Sequence, residues 1–394
     1  MDLKEKCRFT FEMVEKEKAA GRYFYHRPIF SACENHVICE GREMIMMASN
    51  NYLGLATHPK VKEAAREAVK KYGTSTGGSR LICGTTDLHI KLEERLAKFW
   101  QTEEAMIFTT GYQAILGTIQ ALMGKKDVVI NDSLNHASIL DGSAMSGAKV
   151  RTFMHNDMED LEEVLAGCDE FEGKLVVADS VFSMDGDIID VPEMSRIAKK
   201  YKALVMLDEA HSMGVLGQTG RGAPEHFGMI GQIDVISGTF SKFAGAIGGF
   251  TAGSKEIISH IRHTARAYIF TAAPPAGQVA GILAAFDVLE EEPEILKRLW
   301  DNTNFFTEEM KKLGFDLGYS KTPCNPIMIR DQEKTIKMNH ILHENGVFAI
   351  SILFPAVPVS ETRIRLGIMA THTREDLEKA IEVFKKAGKE VGII

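Results

Sequence analysis

The chain has 394 residues, 45% hydrophobic and 25% charged, with 34 Gly and 11 Pro. At about 150 residues per domain this makes two or three compact units with ample core, which excludes disordered, collagen-like and disulfide-scaffold classes. The 46 basic and 54 acidic residues give a net charge of −8, which argues against a nucleic-acid binder and leaves room only for a local basic patch.

The start, Met1-Asp2-Leu3-Lys4-Glu5-Lys6, is charged and lacks the apolar core of an export signal. A helix is expected over 5–18 and an aromatic stretch over 23–28, within an N-terminal arm of residues 1–48. In a large domain of residues 49–285, apolar runs at 105–109, 128–131, 150–154, 175–178, 204–207, 235–237 and 249–252 alternate with helical periodicity, as at 112–123, 158–166 and 191–201. Strands apolar at consecutive positions are buried on both faces, so an α/β fold with a mostly parallel seven-stranded sheet is expected. A smaller C-terminal α+β domain occupies 286–394. There a long helical pattern over 278–312 leads to strands at 326–330, 347–350 and 362–367, with helices near 334–344 and 374–387.

Two uncharged stretches, 107–124 and 267–286, are interrupted by Gly, Gln, Thr or Pro, so no membrane span is expected. Cys7, Cys33, Cys39, Cys83, Cys168 and Cys324 form no C-x-x-C pair and read as free thiols of a reducing cytoplasm. His340 and His343 lack the spacing of a zinc-protease helix, so no metal site is expected.

Ligands of open parallel sheets bind beyond the carboxyl ends of the strands. There the apolar runs deliver Thr109-Thr110-Gly111-Tyr112, Asn131-Asp132 with His136, Asp179 with Ser183, Asp208-Glu209-Ala210-His211, and Gly238-Thr239-Phe240-Ser241-Lys242. This set meets the demands of pyridoxal phosphate: a lysine for a Schiff base, a carboxylate for the ring nitrogen, and a phosphate cradle. Lys242 and Asp208 fill the first two roles. A helix opening at Gly111-Tyr112 presents backbone N–H groups to the phosphate, with the Thr239 and Ser241 hydroxyls beside them. Taken singly, each of these is as well read as a surface lysine, a helix cap or a core histidine; only the constellation points to a site.

The segments Ser49-Asn50-Asn51-Tyr52-Leu53-Gly54-Leu55, Gly77-Gly78-Ser79-Arg80, Asn135-His136-Ala137-Ser138, His155-Asn156-Asp157-Met158, Val181–Gly186, Asp208–His211 and Gly238–Lys242, in this order, resemble the pyridoxal phosphate-dependent α-oxoamine synthases of the aspartate-aminotransferase fold, or fold type I. The resemblance implies that Lys242 is the Schiff-base lysine and proton shuttle, Asp208 the partner of the pyridine nitrogen, and His136 the imidazole stacked on the ring. It implies that His211 and Ser183 contact the ring hydroxyl, and that Gly111, Tyr112 and Thr239 bind phosphate. Thr271 and Ala272 would reach the phosphate of a neighbouring subunit, which implies a homodimer with shared sites. Asn50, Ser79 and Arg365 would join His136 in binding the substrate, a guanidinium being suited to a carboxylate. The implied reaction joins an amino acid to an acyl-CoA with release of CoA.

Segments 80–85, 132–136 and 388–394 resemble glycine C-acetyltransferase, which sets glycine and acetyl-CoA as the expected substrates. Segments 211–214, 240–242 and 268–271 instead resemble bacterial serine palmitoyltransferase, and 8-amino-7-oxononanoate synthases share most core motifs but many carry Thr where Ala356 stands. An aminotransferase of the same fold, a non-catalytic subunit and a nucleotide-binding α/β protein are the rivals. The intact Lys242, Asp208, His136 and His211 oppose the second, and the lack of G-x-x-x-x-G-K-[ST] opposes the third.

Overall fold

Alternate residues of the central strands serve two different cores. The computed structural model describes residues 2–354 and 356–394, so Met1 of the charged start lies outside it. After β1 (His36–Cys39) and β2 (Arg42–Met46) come β3 (Glu104–Phe108), β4 (Val128–Asp132), β5 (Lys149–Phe153), β6 (Lys174–Asp179), β7 (Leu204–Asp208), β8 (Val235–Thr239) and β9 (Gly249–Gly253). The last seven form one sheet in the order β3-β9-β8-β7-β6-β4-β5. Only β9 runs against its neighbours.

Along β6, Val176 and Ala178 pack with Leu207 and Ile236 on one face, while Leu175 and Val177 pack with Met206 and Val235 on the other. All are fully buried, and each Val or Leu removed from water stabilises the fold by about 1.5–3 kcal/mol. This two-sided burial is why the strands read as continuous apolar runs.

Helices α1 (Leu3–Ala19), α2 (Pro59–Tyr72), α3 (Asp87–Trp100), α4 (Gly111–Leu122) and α5 (Ala137–Ser146) open the helical inventory. The first carries an Asp2–Glu5 capping box but buries no residue. Trp100, at the end of α3, is buried and stacks on Phe250 of β9 with ring centroids 5.9 Å apart.

The long helix expected over 278–312 is two helices, Ala276–Glu291 and Glu294–Lys312. Pro293 between them has no N–H to continue the first. The strand expected at 347–350 is likewise divided between two small sheets. In one, β10 (Cys324–Met328) and β12 (Ile350–Ile352) flank β13 (Arg363–Gly367); in the other, β11 (Val347–Phe348) pairs parallel with β2. Residues 36–46, expected in an arm, therefore sit in a sheet with the C-terminal part. Among the described residues, no helix is long and apolar enough to cross a membrane.

Candidate active site

The parallel strands bring their carboxyl ends to one edge of the sheet, around a cavity of about 270 Å³. Gly111, Tyr112, His136, Asp208, His211, Thr239, Ser241 and Lys242 all line it, as does Asp179. Asp179, Asp208 and Thr239 close their strands, and each of the others follows a strand end by two to four residues.

Lys242 follows β8 in a turn closed by Phe240 N–H donating to Gly248 C=O at 3.0 Å. Phe240 and Phe243 on either side are buried and fix the backbone between them. Burial lowers the Lys242 ammonium below its ordinary value, opposed by the Asp208 and Asp179 carboxylates. Burial likewise raises Asp208, opposed by Lys242 and His136. Asp179 is held well above the ordinary carboxylate range by burial and by Asp208. Its Oδ2 accepts the His136 N–H at 2.6 Å. Burial also keeps His136 and, more strongly, His211 neutral.

The opposite end of the cavity is an anion cradle. Thr110 caps α4 by accepting the Gln113 N–H at 3.2 Å. Among the described residues, the N–H groups of Gly111 and Tyr112 have no partner, as the first turn of a helix leaves them. The Thr239 hydroxyl is held by Gly248 C=O at 2.9 Å. A Cβ on Gly249 would lie 2.5 Å from Thr110 O, and one on Gly111 would overlap Thr239. Gly249 is thus required for β9, and Gly111 for β8, to approach the start of α4 so closely. The Tyr112 hydroxyl donates to Asp141.

Arg365, on β13, is buried and forms a second group beside the cavity. Its guanidinium donates to Asn50 Oδ1 at 2.5 Å, the Tyr52 hydroxyl at 3.2 Å and Ser183 C=O at 3.0 Å. Ser183 is therefore drawn to Arg365 through its main chain and is not among the cavity-lining residues. Cys324 Sγ donates to the same carbonyl. The turn carrying Ser183 is tied to the main sheet by His155, which lies 3.0 Å from both Asp132 and Asp187. Burial opposes the charge on His155, but the two carboxylates raise it to about 10.

Ser79, Thr271 and Ala272 form a third group outside the cavity. Gly78 C=O accepts the Ala273 N–H, and Ala272 C=O accepts the Thr109 hydroxyl at 2.6 Å. Thr271 Oγ1 accepts from Gln113 at 3.4 Å. Sequence reading left Tyr52, Asp141 and Cys324 without roles, and marked Asp179 only as a strand-end acid.

This arrangement fits pyridoxal phosphate: a desolvated amine, a buried acid across from it, and a glycine-lined helix start with free N–H groups. The aminotransferase class I and II family model matches residues 42–384. An 8-amino-7-oxononanoate synthase of Thermoanaerobacter pseudethanolicus is 43% identical over 98% of both chains. A serine palmitoyltransferase of Sphingobacterium spiritivorum is 43% identical over 96% of both. Serine palmitoyltransferase of S. paucimobilis, solved with a bound PLP–myriocin aldimine, superposes with a TM-score of 0.96 over 100% of both chains at 35% identity. The chain belongs to the α-oxoamine synthases, pyridoxal phosphate-dependent enzymes within the aminotransferase class I and II family.

Proposed function

We propose that the enzyme condenses serine with a long-chain acyl-CoA, releasing CoA and CO2. What carries this reading is the end-to-end superposition on serine palmitoyltransferase at a TM-score of 0.96, joined by the likeness of segments 211–214, 240–242 and 268–271. The glycine and acetyl-CoA expected from 80–85, 132–136 and 388–394 remain the second reading, and the alanine-using synthases are the third. Ile247 lines the cavity with 63% of its surface exposed, an apolar side chain suited to an acyl chain.

Pyridoxal phosphate, when bound, supplies a ring that draws off the electron pair left by a broken Cα–H bond. Lys242 holds its amine to be covalently tethered and, once released, removes the Cα proton as general base; its lowered pKa favours the free amine. Asp208 sits to keep the ring nitrogen protonated, and His136 to stack on the ring. Gly111, Tyr112, Thr239 and Ser241 would hold the phosphate, with Thr271 and Ala272 contributed from a partner subunit. His211 would serve the ring hydroxyl, and Ser183, outside the cavity lining, would hold Arg365 through its carbonyl. Asn50 and Arg365 would clamp the amino-acid carboxylate, with Ser79 a further substrate contact. The new bond would join Cα to the acyl carbon as the thioester C–S bond breaks and CoA leaves as its thiol; the Cα–carboxylate bond would then break to release CO2, and Cα would take back the proton held on Lys242 Nζ. The soluble partners are thus an amino acid and an acyl-CoA in the cytoplasm, and the assembly a homodimer.

A matrix of glycine, serine and alanine against acetyl-, pimeloyl- and palmitoyl-CoA, reading thiol and CO2 together, tests the reading. Thiol with CO2 from serine and palmitoyl-CoA is expected. Thiol without CO2 from glycine and acetyl-CoA moves the assignment to the second reading, and keto acid formed from the amino acid without thiol makes the protein an aminotransferase.

A further inference from the structure

Tyr52 joins the carboxylate clamp to the ring-side histidine. Its hydroxyl lies 2.9 Å from His211 Nδ1, 3.2 Å from Arg365 Nη2 and 3.4 Å from Asn50 Oδ1. The side chain is 1% exposed and His211 is 6% exposed, so water does not substitute for these contacts.

The protons in this cluster can be assigned by counting. A guanidinium only donates, so the Tyr52 oxygen accepts from Arg365. Tyr52 has one hydrogen to give, either to Asn50 Oδ1 or, where Nδ1 is unprotonated, to His211. Asn50 Oδ1 already takes Arg365 Nη1 at 2.5 Å and is the more distant at 3.4 Å, so the hydrogen goes to His211 Nδ1. A neutral imidazole that accepts at Nδ1 carries its own proton on Nε2. That nitrogen has no protein partner among the described residues, and the ring lines the cavity.

We propose that Tyr52 is a positioning residue that fixes the Nε2–H tautomer of His211, so that a donor always faces the cavity, and that it couples this donor to Arg365. The cavity-facing role rests on the proposed place of the cofactor's ring oxygen; the tautomer itself does not. Burial and the nearby cations Lys242 and Arg365 keep His211 uncharged, which is the condition under which a tautomer exists to be chosen. Without the hydroxyl, Nδ1 loses its donor and Arg365 loses an acceptor. The imidazole can then protonate Nδ1 and present a lone pair to the cavity.

The test is Y52F, which keeps the buried ring and removes one oxygen. In 15N-histidine NMR of the full chain stripped of cofactor, His211, assigned by its loss in H211N, is expected as Nε2–H in the native chain and as mixed or Nδ1–H in Y52F. In the cofactor-loaded enzyme, Y52F is expected to raise the amino-acid KM and shift the pH midpoint of cofactor absorbance. It should weaken cofactor affinity about tenfold, the worth of a hydrogen bond to a charged group. In an H211N background Y52F is expected to add little to the absorbance shift, because the two act as one unit. An unchanged Nε2–H signal in Y52F overturns the proposal whatever the enzyme's substrates prove to be. An equal absorbance shift with and without His211 also overturns it. A normal tautomer response in a protein that binds no cofactor would instead count against the functional reading.

Discussion

Asp179 and Asp208 are register partners on adjacent parallel strands, so two buried carboxylates stand side by side at the floor of the cavity. Like charges this close cannot both be ionised cheaply in a dry site. Their neighbours decide which ionises. Asp208 is favoured by Lys242 and His136, whereas Asp179 is pushed well upward by burial and by Asp208 itself. Burial raises both, Asp179 the more strongly, so Asp208 is the more readily ionised of the pair.

D208N and D179N should then differ. D208N would remove the charge proposed to hold the cofactor nitrogen protonated, and turnover at saturating cofactor is expected to fall by at least about a hundredfold. D179N replaces the less readily ionised acid of the pair and keeps an oxygen for the His136 N–H, so its loss should stay under about tenfold. Steady-state kinetics of both variants check this. Equal losses would refute the division of charge.

G111A tests the anion cradle. The added Cβ would overlap Thr239 Cβ and sit 2.9 Å from its hydroxyl, which would drive α4 and β8 apart. Cofactor affinity, measured by equilibrium titration, should fall by about tenfold or more, as expected when charge-assisted hydrogen bonds are lost.

R365K keeps the charge but not the fork. Asn50, Tyr52 and the Ser183 carbonyl each take a separate nitrogen of the guanidinium, and an ammonium cannot hold that geometry. The amino-acid KM should rise by about tenfold or more while the acyl-CoA KM changes little.

The strands and their terminal residues were legible because a sheet buried on both faces must be continuously apolar, and each strand then stops at its first polar residues. That logic located Lys242, Asp208, His211, Gly111 and His136 along the chain. It could not join Tyr52 to His211, which lie 159 residues apart. Nor could it show that Ser183 meets Arg365 through its carbonyl, since main-chain contacts leave no mark on residue type. Asp179 was visible as an acid at a strand end, but its pairing depends on the register between β6 and β7. The break at Pro293 was legible in principle, because a proline in a helical pattern removes a donor; the apolar periodicity on either side concealed it.

Glu209 gives the fold a pH dependence of its own. Its Oε2 accepts from the Ser212 hydroxyl and from the Ala223 N–H at 3.0 Å, while Oε1 is buried without a partner among the described residues. Burial pushes this carboxyl from an ordinary 4.5 up to about 7. The folded chain thus holds a proton that the unfolded chain releases, and this contribution is lost as pH rises from about 4.5 to about 7. The displacement corresponds to about 3 kcal/mol. E209Q should remove it: thermal melts of the variant should gain on the native chain across that window and run parallel above it. A constant difference at all pH values would contradict the assignment.

The account as a whole depends on the amine at position 242 being the one that tethers the cofactor. Borohydride reduction of the holoenzyme, followed by peptide mapping, tests this most directly. The pyridoxyl group is predicted on the peptide containing Lys242 and on no other, with no adduct in K242A. Attachment at another lysine, or a native protein that takes up no label, would contradict it.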